Sequence, residues 1–212
     1  MDKPKDVNEY ISTHKAAVSQ NPDCGNSHYN LAVGYVGQRR FEEAERELHA
    51  AIDCSPSLAE AYVLLGGICL SRGDLDGCLT YNRKAVHVRP GFSEGYGNIG
   101  FVELQRGNLD EAIKNFERAT TFNFRYVQAF ANLGNAYLMK GMVEEAIVAN
   151  QKALTLAPDF APAHNNLTIA YLEKGEYNLA IEHCDKALAH GYDVAQPIRQ
   201  EIEEHRIKLE SK

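Results

Sequence analysis

No apolar run in this chain reaches the roughly 18 residues that a membrane-spanning helix needs, and its first ten residues, MDKPKDVNEY, lack the apolar core of an export signal. The sequence therefore predicts a cytoplasmic protein, neither secreted nor inserted in a membrane. Polar low-complexity tracts are also missing, and 44% of the 212 residues are hydrophobic, enough to bury the core of one domain or two small ones. Cysteine is sparse and unpatterned. The five thiols, Cys24, Cys54, Cys69, Cys78 and Cys184, include no CxxC pair, so they read as reduced, small apolar residues, not as a disulfide framework or a zinc site. Positive charge is in deficit, with 22 Lys and Arg against 29 Asp and Glu and a net charge of −7. That balance argues against nucleic acid and anionic membrane, which are bound through clustered Lys and Arg, and favours neutral or basic protein partners.

Catalytic signatures are missing as well. No HExxH, GxSxG, GxxxxGK[ST] or GxGxxG pattern is present, and the eight histidines fall on different predicted helices. His183 and Cys184 come nearest to a nucleophile pair, but neighbours on a helix point about 100° apart. No metal, cofactor or catalytic residue is expected, and the chain reads as non-enzymatic.

What is present is a repeat. At a period of 34 residues the chain aligns with itself five times, over 25–58, 59–92, 93–126, 127–160 and 161–194. Position 4 of these segments holds His28, Tyr62, Tyr96, Phe130 and His164, and position 7 holds Leu31, Leu65, Ile99, Leu133 and Leu167. Position 8 is small (Ala32, Gly66, Gly100, Gly134, Thr168), position 20 is Ala or Cys, and position 27 is Ala throughout, which marks close backbone contact. Positions 4, 7, 8 and 11 recur at helical spacing, as do 20, 24 and 27, with Gly73, Gly107, Gly141 and Gly175 between the two sets. Each segment is thus two antiparallel helices. Acidic residues after the glycine suit the positive pole of the second helix, and Pro56, Pro90 and Pro158 end it. Arg39 stands where the first segment should have its turn glycine, Glu103 replaces the position-11 aromatic, and Phe124 and Tyr192 replace the closing proline.

This pattern of aromatic, Leu-Gly, Tyr, Ala, Phe and Pro resembles the tetratricopeptide repeat over 170 of the 212 residues. The resemblance implies an all-α, right-handed solenoid of antiparallel helix pairs. Residues 1–24, with Asp6 and Glu9 as a capping box and Val7, Tyr10, Ile11, His14, Ala17 and Val18 as an apolar stripe, read as an N-terminal half-repeat. Residues 195–212, with Ile198, Ile202 and Leu209 on one face, read as a C-terminal capping helix.

In this family the first helices line a concave groove, with positions 2, 5, 6, 9, 12 and 13 turned inward. Position 6 reads Asn30, Leu64, Asn98, Asn132 and Asn166, and the stretch AFANLGNAY, Ala129 to Tyr137, resembles the superhelical repeats of O-linked N-acetylglucosamine transferase, where an asparagine ladder holds substrate backbone. That enzyme's catalytic domain has no counterpart here. An amide carries a donor and an acceptor, so it can pair with both halves of a peptide group. The expected peptide-binding face adds Asn135, Tyr29, Val33, Val63, Phe101, Leu104, Leu138 and Ile169, with Glu60 and Glu94 at position 2. Positions 2, 5 and 6 contain no Lys or Arg, so the carboxylate clamp with which some family members hold chaperone C-termini is not expected.

The asparagine column keeps two readings, a peptide ladder or plain repeat architecture. The predicted function is a protein-interaction module that holds an extended segment of a partner. The alternative is a self-assembling scaffold that uses the stripe of residues 7–20, a layout similar to that of magnetosome-associated scaffolds of this class.

Overall fold

The computed structural model describes residues 6–210, and among them all regular structure is helical. The outermost positions of the expected terminal segments, 1–5 and 211–212, lie outside the described residues. The chain divides into two compact units, Met1–Val102 and Glu103–Lys212.

The first unit begins with α1 (Val7–Gln20), followed by α2 (Gly25–Gly37), α3 (Phe41–Cys54), α4 (Ala59–Ser71), α5 (Leu75–Val88) and most of α6 (Ser93–Gln105). α2 packs on α3 and α4 on α5, each pair joined by three residues and therefore antiparallel. Their seams are the small positions: Ala44, Ala51, Cys78 and Ala85 are fully buried, Ala44 and Ala51 among Leu31, Leu48, Leu65 and Ile68, and Cys78 among Cys69, Leu79, Ile99 and Val102. Asp6 caps α1, accepting from the Asn8 amide at 3.3 Å and from its side chain at 3.0 Å. The apolar stripe of α1 is partly covered within its own chain, while Val7 at its start is 38% exposed. Ile11 is 5% exposed in one cluster with Leu31 and Tyr35 of α2, and Val18 packs against the same cluster.

The second unit continues with α7 (Leu109–Phe122), α8 (Val127–Met139), α9 (Val143–Leu156), α10 (Ala161–Lys174), α11 (Tyr177–Ala189) and α12 (Gln196–Glu210). α8 pairs with α9 and α10 with α11, and α10 also lies against both α8 and α9. Ala112, Ala119, Ala146, Ala153, Ala180 and Ala187 are fully buried at the same two positions. α12 closes this unit by burying Ile202 beside Cys184 and Val194, with Ile198 packed at the edge; Leu209, expected on that face, is 38% exposed.

The turns inside the pairs are left-handed at Gly73, Gly107, Gly141 and Gly175, with φ between +74° and +77°. Arg39 adopts the same conformation at φ +58°, which costs a residue with a Cβ about 1–2 kcal/mol. The turn geometry is therefore kept where the glycine is not. Glu103 is also accommodated: it is 6% exposed, and its carboxylate accepts from the Asn108 amide at 2.8 Å. Three of the five thiols, Cys69, Cys78 and Cys184, are buried, whereas Cys54 is exposed and so is not packed as an apolar residue.

Candidate functional site

Five of the expected groove residues come together in the first unit. Tyr29 of α2, Glu60 and Val63 of α4, and Glu94 and Asn98 of α6 line one open cavity of about 480 Å³, together with Leu64, Gly67 and Phe92. The spacing explains the convergence, because Tyr29 and Val63, like Glu60 and Glu94, are 34 residues apart and occupy equivalent places on successive first helices. Gly67 forms part of the wall without a side chain, and a Cβ built there would meet no atom within 4 Å.

The charges around this cavity are partly committed. The Arg89 guanidinium grips both Glu60 carboxylate oxygens, at 2.5 and 2.9 Å, and lies 4.9 Å from the Phe92 ring centre. Burial pushes the Glu60 carboxyl up, but the Arg89 fork outweighs it and holds the group below its ordinary value. Burial, with Glu60 nearby, raises the Tyr29 phenol. Glu94 is exposed, and one of its oxygens accepts from the Ser93 hydroxyl at 2.9 Å.

The asparagines of position 6 do not share one environment. Asn98, half-buried, donates at 3.0 Å to Asn82 of α5, which is fully buried and in turn donates to the Cys78 carbonyl at 2.8 Å. Asn166 repeats this, donating at 3.0 Å to Asn150 of α9 and at 3.0 Å to the Ala131 carbonyl, while Asn150 donates to the Ala146 carbonyl at 2.8 Å. Asn82 and Asn150 occupy position 24, and in each case the residue at position 8 next to them is a glycine. A Cβ on Gly66 would collide with the Asn82 amide, and one on Gly134 with the Asn150 amide. The closeness behind these small residues is chiefly to a side chain, not to backbone. Where position 24 is apolar the pairing is absent: Leu64 packs beside Leu48, and Asn132 instead accepts from the Gln128 amide at 2.8 Å.

Three expected site residues, Leu104, Leu138 and Asn166, are buried where the sequence reading has them facing a partner. Leu104 and Leu138 are 6% and 8% exposed, and Leu138 belongs to a core cluster with Ala146 and Leu167. Position 12 is one helical step from the core position 11, and here leucine turns toward that core. Asn166 is 8% exposed, with both amide hydrogens engaged inside the protein. Val33 faces a separate hollow of about 280 Å³ with Val7 and Tyr10 of α1. Asn30, Phe101, Asn135 and Ile169 are half-buried on their first helices, and Ile169 packs at the edge of the α10–α11 core. The residues that sequence reasoning missed are Asn82 and Asn150; their signal was the appearance of Asn at position 24 in the second and fourth segments. Asn165, also missed, is buried with its side-chain oxygen unpartnered in the protein.

Models of the tetratricopeptide repeat match residues 29–91, 127–160 and 163–198, and a TPR repeat model matches 100–141. The chain belongs to the tetratricopeptide repeat family. The helix pairs of this TPR protein superpose on the crystal structure of YrrB, described as a TPR protein with an unusual peptide-binding site, with a TM-score of 0.71 at 20% identity over 92% of this chain and 99% of that one. They also match MamA from Desulfovibrio magneticus RS-1 (TM-score 0.67, 23% identity, 78% and 94% of the two chains) and Pseudomonas aeruginosa pilF (0.73, 20%, 80% and 77%). No curated protein matches the chain by sequence. The TPR is a scaffold suited to protein–protein contact, and proteins of this fold are generally non-catalytic. No helix among the described residues is long and apolar enough to cross a membrane.

Proposed function

We propose that this TPR protein holds an extended segment of a partner protein against its first helices, with the cavity of Tyr29, Glu60, Val63, Glu94 and Asn98 as the principal contact. The carrying observation is the convergence of those five residues, from three helices, on one open hollow with apolar walls and a polar rim. Magnitudes favour the hollow over the ladder. A net hydrogen bond contributes about 1 kcal/mol, and Asn166 has already used both amide hydrogens on the protein itself. Burying one Leu- or Phe-sized side chain contributes about 1.5–3 kcal/mol, so a single well-filled hollow equals two or three rungs. Asn98, half-buried in the lining of the same hollow, supplies a backbone contact there. Self-assembly through residues 7–20 has less support, because the centre of the stripe that motivated it, Ile11, is already buried against α2.

A photoreactive amino acid at Val63 tests the reading, with the same probe at Val148, which is 67% exposed on α9, as the control. Crosslinking in living cells is expected to attach a partner polypeptide at Val63 and none at Val148. Attachment at Val148 alone would contradict the assignment.

A further inference from the structure

We infer that the hollow in the first unit receives the side chain of a lysine or arginine in the bound segment; this rests on the peptide-binding reading above. The lining has the two parts that such a side chain needs. Its walls are the Tyr29 and Phe92 rings, Val63 and Leu64, suited to an aliphatic stem, and its lining charges are two carboxylates with no cation. Glu60 already has a bidentate partner in Arg89, whose charge also reaches Glu94, so the two carboxylates and one guanidinium together leave one negative charge over. An incoming cation balances it. The chain also displays the pairing on its own residues, since Arg89 lies over the Phe92 ring while its fork meets a carboxylate. A glutamate or aspartate in the same place would face Glu94 across an apolar wall, and a purely apolar residue would leave that charge beside a desolvated surface.

The test is a phage-displayed library of random heptapeptides, selected on the full chain, with the enriched peptides synthesised with blocked ends. The expected result is enrichment of Lys or Arg at one position between apolar residues. Such peptides are expected to bind Glu94→Gln about two- to fivefold more weakly, the worth of a solvent-accessible ion pair, and to lose that difference at high salt. Gly67→Leu, which projects a side chain into the hollow, is expected to weaken them by tenfold or more and to melt no lower than wild type, while Glu94→Gln, which removes a first-turn carboxylate of α6, should melt only slightly lower. Enriched peptides without a basic residue that are still blocked by Gly67→Leu would overturn the cationic assignment and leave the groove reading intact. Peptides indifferent to Gly67→Leu, or no enrichment at all, would overturn both.

Discussion

Gly66 and Gly67 are neighbours in α4 with opposite surroundings. Gly66 presses on the Asn82 amide, which is held between Asn98 and the Cys78 carbonyl, whereas Gly67 borders open space. In a bare helix each would gain about 0.8–1.0 kcal/mol on becoming alanine. At Gly67 that gain should appear in full. At Gly66 the added methyl must displace a buried, doubly bonded amide, a packing error of about 1–3 kcal/mol that cancels or exceeds the gain. Urea titrations of Gly66→Ala and Gly67→Ala should therefore move in different directions, the former to lower or unchanged stability and the latter higher; equal stabilisation would show that Asn82 is not fixed. The same contact accounts for two of the recurring asparagines. Asn98 and Asn166 each tie the first helix of a pair to the second helix of the pair before it, and their recurrence at those two places has an architectural cause. Asn132, opposite fully buried Phe116, has no such duty.

At the scale of helices, two histidines at position 4 give the two units opposite responses to acid. His28 lies 2.6 Å from the Glu47 carboxylate and 2.8 Å from the Pro22 carbonyl; burial opposes its charge, but these partners prevail and raise its pKa. Its stabilisation is complete below the ordinary value near 6.5 and fades as pH rises through the raised value. In α10 the equivalent His164, when neutral, donates to the Pro158 carbonyl and accepts at 2.8 Å from His183 of α11; one hydrogen lies between the two Nδ1 atoms, so the two rings cannot both be charged. Burial, the neighbouring His164 and Lys186 push His183 down to about 4. Its contribution is present above 6.5 and is lost as pH falls toward 4. Between pH 7 and 5 the α10–α11 pair should lose about 1–2 kcal/mol, read by hydrogen exchange at its amides. His183→Gln, which keeps a donor and cannot titrate, should reduce the loss to the part that belongs to His164, which burial also pushes down; an undiminished loss in that variant would assign it to other groups.

The pairing of helices was legible because fully buried alanines at positions 20 and 27 and glycines at the turn leave little choice of register. Which residues line the first-unit hollow was legible in part for the same reason: the equivalence of Tyr29 with Val63 and of Glu60 with Glu94 follows from the period alone. Side-chain direction was not. Whether Leu104 and Leu138 turn inward, and whether Asn82 reaches Gly66, depends on the sizes of neighbours one helix away, which a single chain's spacing does not encode. Glu103 was legible as a departure, while its compensation by Asn108 needed the fold of the turn between them.

At the scale of the molecule, charge and chemistry point the same way. A net charge of −7 and a first-unit hollow bounded by two carboxylates favour basic segments, and the cations at the ends of first helices are occupied, with Arg72 forked on Glu45 at 2.6 and 2.9 Å and Lys140 on Asp110 at 2.5 Å. Such exposed pairs contribute about 0–1 kcal/mol each, so they shape the surface more than they hold the fold. The central claim is that partner segments are held at the hollow beside Gly67. Its most direct test is affinity capture from native lysate with wild type and Gly67→Leu side by side, after thermal melts show the variant folded. The account predicts a protein captured by wild type and lost from Gly67→Leu, whose melting point is equal or higher; equal capture by both would contradict it.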